Sequence, residues 1–437
     1  MSESVESASS RGNVFRVQGG FPISGVLRPS GNKNEALPVL AAALLASEGA
    51  VTLENLPDIA DIRDMIRLTE SVGVQLERDD GVLRMDATHL GNAAPDSARA
   101  AEIRGSFLLS APLLARTGKA RLPRPGGDKI GRRRIDTHLL ALEALGAKVD
   151  ISGTDYIMTL DGRFVGADVF LDEASVMATE NALMAAAMAE GTTRIGNAAS
   201  EPHVQGLCRM LVGMGAQIRG IGTNLLEIRG SASLRGCHHV VGPDHIEIGS
   251  FMGLAAVTGG ELEIGPVNPD DLRMICMVFG RLGVESRLEG DRLFIPGQQE
   301  LKMMTDAHEA IPKLDDAPWP GFPADLVSIA MVVATQSTGT ILVHEKLFES
   351  RMFWVDRLVA MGARIVLCDP HRAVVVGPAR LHGATISSPD IRAGMSLLIA
   401  ALCAEGESVI QNVHQIDRGY ERIDERLRQL GAQVERV

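Results

Sequence analysis

The sequence predicts an α/β fold built from six repeated units, three in each of two domains. Three observations predict it. A helix-like run ends in Leu-Gly-Ala-x-Val or a close variant at Gly73, Gly146, Gly215, Gly283, Gly362 and Gly431, at spacings of 68 to 79 residues. Some 23 to 28 residues ahead of each lies another glycine (Gly49, Gly118, Gly191, Gly260, Gly339 and Gly406), which closes an Ala/Leu/Met/Val-rich run and opens a β-patterned segment. A fixed period marks one supersecondary unit used many times. The chain, at 437 residues and 45% hydrophobic, is too long for one ordinary core and apolar enough for two.

Each unit reads as strand, Ala-rich helix, strand, amphipathic helix and two strands, a βαβαββ pattern with helix–strand alternation and short links. In the first unit the pattern predicts a helix over Glu35 to Ala46, stopped by Ser47-Glu48-Gly49. Ala50 to Asn55 alternates as a strand, and Asp61 to Val72 is a second helix with Ile62, Ile66 and Leu68 inward. The sixth unit stops at Val437 without its final strand pair, and Val14 to Ser30 parallels Val374 to Ser388. The chain is therefore expected to close on itself. Residues 1–30 join 243–437 in a C-terminal domain, and 31–242 form the other, which carries a mobile loop near 123–135. Two strand crossings would link them, a hinge geometry.

The pseudosymmetry locates a site. The first helix of each unit should begin near Lys33-Asn34, Arg104, Thr179-Glu180-Asn181, Asp244-His245-Glu247, Asp325, and Asp390 with Arg392. Asp and Asn there are explained as caps. The helix macrodipole disfavours cations at its N-terminus, so Lys33, Arg104 and Arg392 need an anion among them. Three such ends per domain, facing one cleft, would hold a phosphorylated ligand.

Composition excludes several classes. The net charge of −12 and 3% aromatic content argue against a general nucleic-acid binder. Five cysteines without a CxxC pair suit a reducing, cytoplasmic setting. Neighbours in a strand point to opposite faces, so Cys237-His238-His239 does not read as a metal site, and no metal is expected. No apolar run is long enough for a membrane span, and Met1 to Arg11 reads as a disordered tail. A monomer is expected, because both domains close on themselves.

Four segments are more specific: Gly31-Asn32-Lys33-Asn34-Glu35-Ala36-Leu37-Pro38, Pro125-Gly126-Gly127-Asp128-Lys129-Ile130-Gly131-Arg132-Arg133, Phe322-Pro323-Ala324-Asp325-Leu326 and Ile416-Asp417-Arg418-Gly419-Tyr420-Glu421-Arg422. With Glu349-Ser350-Arg351 and Asp390-Ile391-Arg392-Ala393 they resemble the UDP-N-acetylglucosamine 1-carboxyvinyltransferases, a family of enolpyruvyl transferases, from about residue 14 to Val437.

The resemblance implies two inside-out α/β barrels, each with pseudo-threefold symmetry, closing over phosphoenolpyruvate and UDP-N-acetylglucosamine. It implies transfer of the enolpyruvyl group to the sugar 3′-hydroxyl with phosphate release, without cofactor, as the first committed step of peptidoglycan synthesis. By the same resemblance Lys33, Arg133 and Arg418 are the phosphoenolpyruvate-binding cations, and Asn34 and Arg104 belong to the substrate cleft. Asp325 is the carboxylate on the sugar hydroxyl. Arg351, Asp390 and Arg392 are the charged wall of the C-terminal domain, and Asp136, His138, Ser175, Val176 and Glu201 hold the uridine diphosphate or order the cleft.

The chemistry asks for such groups independently: cations for a carboxylate and a phosphate, a base for the attacking alcohol, an acid for the methylene carbon, and a lid against water. Asp128 stands where most members of the family carry cysteine, and is the candidate acid or a loop residue. The loop cations Lys129, Arg132 and Arg133 are expected to disfavour its protonated form. Glu173, Met177, His245, Ala324 and Val327 also depart from the usual pattern. They leave open a paralogue acting on another nucleotide or nucleotide sugar, or a non-catalytic binder.

Overall fold

The computed structural model describes residues 12–79, 81–128 and 130–437. Lys129 and the expected tail over Met1 to Arg11 lie outside the described residues. Six helices form the inside of the molecule: Lys33–Ala42, Ser110–Thr117 and Val176–Ala187 in one core, His245–Thr258, Ala324–Gln336 and Ile391–Cys403 in the other. They are apolar nearly all round. Every residue from Ala178 to Ala187, for example, is buried. Such helices have no solvent face to keep polar and must be enclosed. Their alanines and glycines allow close approach in place of scarce aromatics: a Cβ on Gly253 would lie 2.8 Å from Ile329 Cγ2 in the neighbouring helix.

Sheets wrap the outside. The third unit shows the pattern, with Asp168–Phe170 parallel to Thr192–Gly196, which pairs antiparallel with Leu225–Arg229, itself paired with Gln217–Arg219. In the sixth unit the third position is filled by Val14–Gln18, which lies between Glu407–Gln411 and Gln433–Arg436 in register Val14↔Gln411 and Gln18↔Gln433. Gly25–Leu27 pairs with Leu262–Ile264, and His238–Val240 pairs with Val51–Glu54. One apolar core takes in Phe15 to Leu27 with Ile246 to Val434, and the other Ala36 to Val241. The chain passes between them at two adjacent segments, joined by an isolated antiparallel bridge at Gly31 and Pro243.

The six helix-ending glycines all take left-handed backbone, with φ between 91° and 113°. This conformation costs other residues a steric penalty. The upstream glycines do the same with one exception. In the fourth unit Gly259 (φ 68°) takes the left-handed turn, while a Cβ on Gly260 would sit 2.0 Å from Ile23 O. Gly260 is small because the N-terminal segment passes against it.

Element boundaries differ from expectation in three places. The first helix begins at Lys33 and tightens into a 3-10 turn over Ala43–Leu45, so Ala46 is already a strand residue. In the third unit the helix starts at Val176, capped by Ser175, which places Thr179, Glu180 and Asn181 beyond the first three helical positions. Arg104 opens a 3-10 segment over Arg104–Leu109, and the α-helix begins only at Ser110.

Candidate active site

The N-terminal turns of five inner helices, and the 3-10 segment that leads into the helix Ser110–Thr117, meet at one cavity of about 410 Å³ between the two cores. Lys33 and Asn34, Arg104, Ser175 with Val176, His245, Asp325 and Arg392 all line it, one group from each unit. The local reason is capping. Asn32 accepts from the N–H groups of Asn34 and Glu35, Asp244 from Ile246 and Glu247, and Asp390 from Arg392 and Ala393. The caps satisfy the early amides and leave the cationic side chains that follow them beside the cavity.

Two carboxylate clusters organise the charge. On one side Lys33 Nζ lies 2.7 Å from Asp61, Arg418 Nε lies 2.9 Å from the same carboxylate, and Arg418 Nη1 lies 2.6 Å from Asp128. On the other, Asp325 accepts from Arg351 at 2.5 Å and from Arg392 at 2.9 Å. Arg133 lines the cavity with residues of both clusters, and its guanidinium donates to the backbone carbonyl of Asp128 at 3.2 Å. Burial by itself would raise the Asp325 carboxyl. Arg392 and Arg351 overcome that and hold it well below the usual carboxylate range. Asp61 behaves alike: burial raises it, and Lys33 and Arg418 more than reverse the effect. Burial, with Arg133 nearby, lowers Arg104 to about 10, so it remains a cation at neutral pH.

The 124–135 loop spans the cleft. Arg132 N–H donates to Glu349 at 3.0 Å, and Ser350 N–H to Ile130 O at 3.2 Å, so a loop of one core rests on a turn of the other. Gly131 permits the contact. It has φ 128°, and a Cβ there would lie 2.3 Å from Glu349 Oε2.

Of the residues expected from sequence, Lys33, Asn34, Arg104, Asp128, Arg133, Ser175, Val176, Glu201, Asp325, Arg351 and Arg392 line the cavity. Arg418 reaches it through Asp128. Asp390 is a cap beside it. Asp136 and His138 are not in the lining. Asp136 is exposed and pairs with Arg134 at 3.5 Å. His138 is fully buried, 2.9 Å from Asn181 through Nδ1, and burial lowers it to about 3, so it is neutral. Arg132 and Arg134 line the same wall as Glu173, although Arg134 is engaged by Asp172 at 2.9 Å.

Sequence reasoning missed Asp61, read there only as the start of a helix. Acidic residues in a helix's first turn are common, and nothing local says that this one will meet Arg418. It also missed the aromatic floor. His203 and His245 stack with centroids 6.2 Å apart, His245 meets Trp319 edge-on, and burial lowers the two imidazoles to about 3 and about 4. Three units meet there; the sequence marks His245 as a helix start and a departure from the usual pattern, but nothing in it joins that residue to His203 or Trp319.

The chain matches the family model of EPSP synthase (3-phosphoshikimate 1-carboxyvinyltransferase) over residues 17–427. It is 55% identical over 423 residues to a UDP-N-acetylglucosamine 1-carboxyvinyltransferase of Treponema denticola, covering 96% of this chain and 98% of that one. A protein of the same name from Bradyrhizobium diazoefficiens is 56% identical over 424 residues, covering 97% and 98%. Among solved structures, the enolpyruvyl transferase NikO of Streptomyces tendae superposes with a TM-score of 0.87 at 25% identity, covering 98% of this chain and 99% of that one. EPSP synthase of Acinetobacter baumannii superposes at 0.75 and 19% identity, covering 97% and 99%, and so shares the fold.

Proposed function

This chain belongs to the EPSP synthase (3-phosphoshikimate 1-carboxyvinyltransferase) family of enolpyruvyl transferases, and we propose that it transfers the enolpyruvyl group of phosphoenolpyruvate to the 3′-hydroxyl of UDP-N-acetylglucosamine, releasing phosphate. The observation that carries the reading is one cavity lined by Lys33, Arg104, Arg133, Arg351 and Arg392, with the carboxylates of Asp128 and Asp325 among them. A small donor that carries a carboxylate and a phosphate needs such a set of cations to offset its charge. The full-length relatives named for this activity support UDP-N-acetylglucosamine as acceptor.

The residues divide the work. Lys33, Arg133 and Arg418 offset the charge of phosphoenolpyruvate. Asp325 takes the proton of the attacking hydroxyl as its oxygen bonds to the enol carbon. An enol carbon accepts an alcohol only once its methylene is protonated, and Asp128 is the group on the other side for that step. Loss of one proton from the methyl group so formed, with cleavage of the carbon–oxygen bond to phosphate, then restores the alkene and releases phosphate. Arg132 and Glu349 hold the loop down, since the cationic intermediate would react with water. In this arrangement Arg418 engages Asp128 and Arg351 with Arg392 engage Asp325. Anionic substrate must draw those cations off before either carboxyl works. The product is committed to peptidoglycan, which fits a cytoplasmic enzyme. No helix among the described residues is long and apolar enough to cross a membrane.

Phosphate release from phosphoenolpyruvate, measured with UDP-N-acetylglucosamine and a panel of other nucleotides and nucleotide sugars, tests the reading. Release with a different acceptor alone would move the substrate, and ligand binding without release would leave a non-catalytic paralogue. Asp128 also predicts insensitivity to fosfomycin, an epoxide that alkylates thiolates far faster than carboxylates. Excess fosfomycin should leave the rate unchanged and the protein mass unaltered, and Asp128→Cys should gain one adduct. Inactivation that disappears in Asp128→Ala would contradict this.

A further inference from the structure

We propose, building on the enolpyruvyl-transfer reading, that His245 is a positioning residue: its ring carries its proton on Nε2, accepts through Nδ1 from Asn32, and so sets the cap from which Lys33 and Asn34 enter the cleft. Asn32 caps the helix Lys33–Ala42, and His245 opens the helix His245–Thr258. Each lies just past one of the two segments that join the cores, next to the bridge between Gly31 and Pro243. Both side chains are buried, and Asn32 Nδ2 lies 3.1 Å from His245 Nδ1. In return Lys33 N–H donates to Asp244 Oδ2 at 3.4 Å, so each helix start leans on a side chain from the other.

The hydrogen bonds decide which atom gives and which takes. Asn32 Oδ1 accepts from the N–H groups of Asn34 at 2.8 Å and Glu35 at 3.2 Å. A backbone N–H only donates, so that end of the amide is the oxygen and the end facing His245 is the NH2 group. Nδ1 is therefore the acceptor, and the ring proton sits on Nε2. A doubly protonated ring would set an N–H against the NH2 group and break the link. His203 stacks on the ring and Trp319 meets it edge-on. Of the charged groups around it, Asp271, Asp325 and Glu35 favour an imidazolium and Arg392 disfavours one. Burial outweighs them, which agrees with the neutral ring that the hydrogen bonds require.

The link bears on the reaction because Lys33 and Asn34 follow Asn32 directly and both line the cavity. If the Asn32 amide turned, it would release the N–H groups of Asn34 and Glu35 and shift the first turn of the helix, carrying Lys33 away from Asp61 and the donor site. A displacement of about 1 Å in such a site costs up to about 100-fold in rate.

Two variants separate the hydrogen bond from the packing. His245→Phe keeps a ring against His203 and Trp319 and loses the acceptor. His245→Asn loses the ring and puts an amide oxygen close to where Nδ1 stood. For phosphoenolpyruvate, kcat/KM should fall by about tenfold or more in His245→Phe and stay within about threefold of wild type in His245→Asn. A fully active His245→Phe, or His245→Asn as impaired as His245→Phe, would overturn the proposal.

Nitrogen NMR of protein labelled with 15N-histidine reads the tautomer without turnover. The His245 signals, identified by their absence from both variants, should show a protonated Nε2 and an unprotonated Nδ1, unchanged between about pH 6 and pH 8. Asn32→Asp keeps a helix cap but offers the ring only acceptors, and should move the proton to Nδ1. A wild-type ring protonated on Nδ1, or an Asn32→Asp spectrum the same as wild type, would overturn the link whether or not the chain turns over phosphoenolpyruvate. That keeps its failure distinct from failure of the functional reading.

Discussion

At the scale of the residue, the site works by mismatch. Asp325 is assigned a base's role but is held in its ionised form by Arg392 and Arg351 against the pull of burial. Since the carboxyl is depressed, its basic form persists as pH falls, and kcat/KM should show no acid limb from Asp325 within the ordinary carboxylate range. Arg392→Gln removes one of the two restraining charges and should move an acid limb upward by about one unit or more. An unmoved limb in a pH profile of that variant would show that Arg392 does not set the basicity of Asp325. Lys33, Arg104 and Arg392 were legible in the sequence because cations at helix N-termini contradict the macrodipole and demand a reason. Asp61 was not, because its reason is a partner 357 residues away. His138 sits in a promising segment and is packed edge-on against Phe107, a contact that no spacing rule foretells.

At the scale of the element, glycine carries the information. The repeat was visible because six helices need a left-handed stop, and the loop was visible because Pro125-Gly126-Gly127 starts a charged run. Less visible was which glycine serves a turn and which serves an approach, as Gly259 and Gly260 show. Gly131 serves both. Gly131→Ala adds a Cβ against Glu349 Oε2 and strains a backbone at φ 128°. It should lower kcat by about tenfold or more through poor loop docking, while the fold survives, since the loop is at the cleft and not in either core. Steady-state rates with a melting curve check this, and a fully active variant would show that the Glu349 contact is not needed for turnover. Helix starts were the least legible feature. The third unit's lies three residues earlier than the Thr179 expected, because Ser175 caps it.

At the scale of the molecule, the chain is a ring of units cut open in its sixth sheet. That was readable from a deficit, a last unit missing strands that the first residues resemble. The price of such an arrangement is that the N-terminal strand is structural. Phe15 is fully buried, and Val14–Gln18 pairs on both edges. Phe15→Ala should cost about 3–5 kcal/mol in denaturant unfolding, and a loss below 1 kcal/mol would show that the strand is dispensable. One sheet escaped the pattern. In the second unit Lys119–Pro123 heads a three-stranded sheet, and Arg121 N–H on its outer edge donates to Ala93 O at 3.1 Å. Pro95 lies just beyond and has no N–H to extend a ladder.

All three scales meet in the cleft, where the starts of the inner helices and the loop place cations between two carboxylate clusters. The measurement that tests this most directly is product formation from phosphoenolpyruvate and UDP-N-acetylglucosamine by wild type and Asp325→Asn, with phosphate and the enolpyruvyl nucleotide sugar quantified together. The account predicts one phosphate per product in the wild type and a loss of at least about a hundredfold in the variant, which keeps the shape but not the base. Wild-type turnover that survives in Asp325→Asn, or phosphate released without the nucleotide-sugar product, would contradict it.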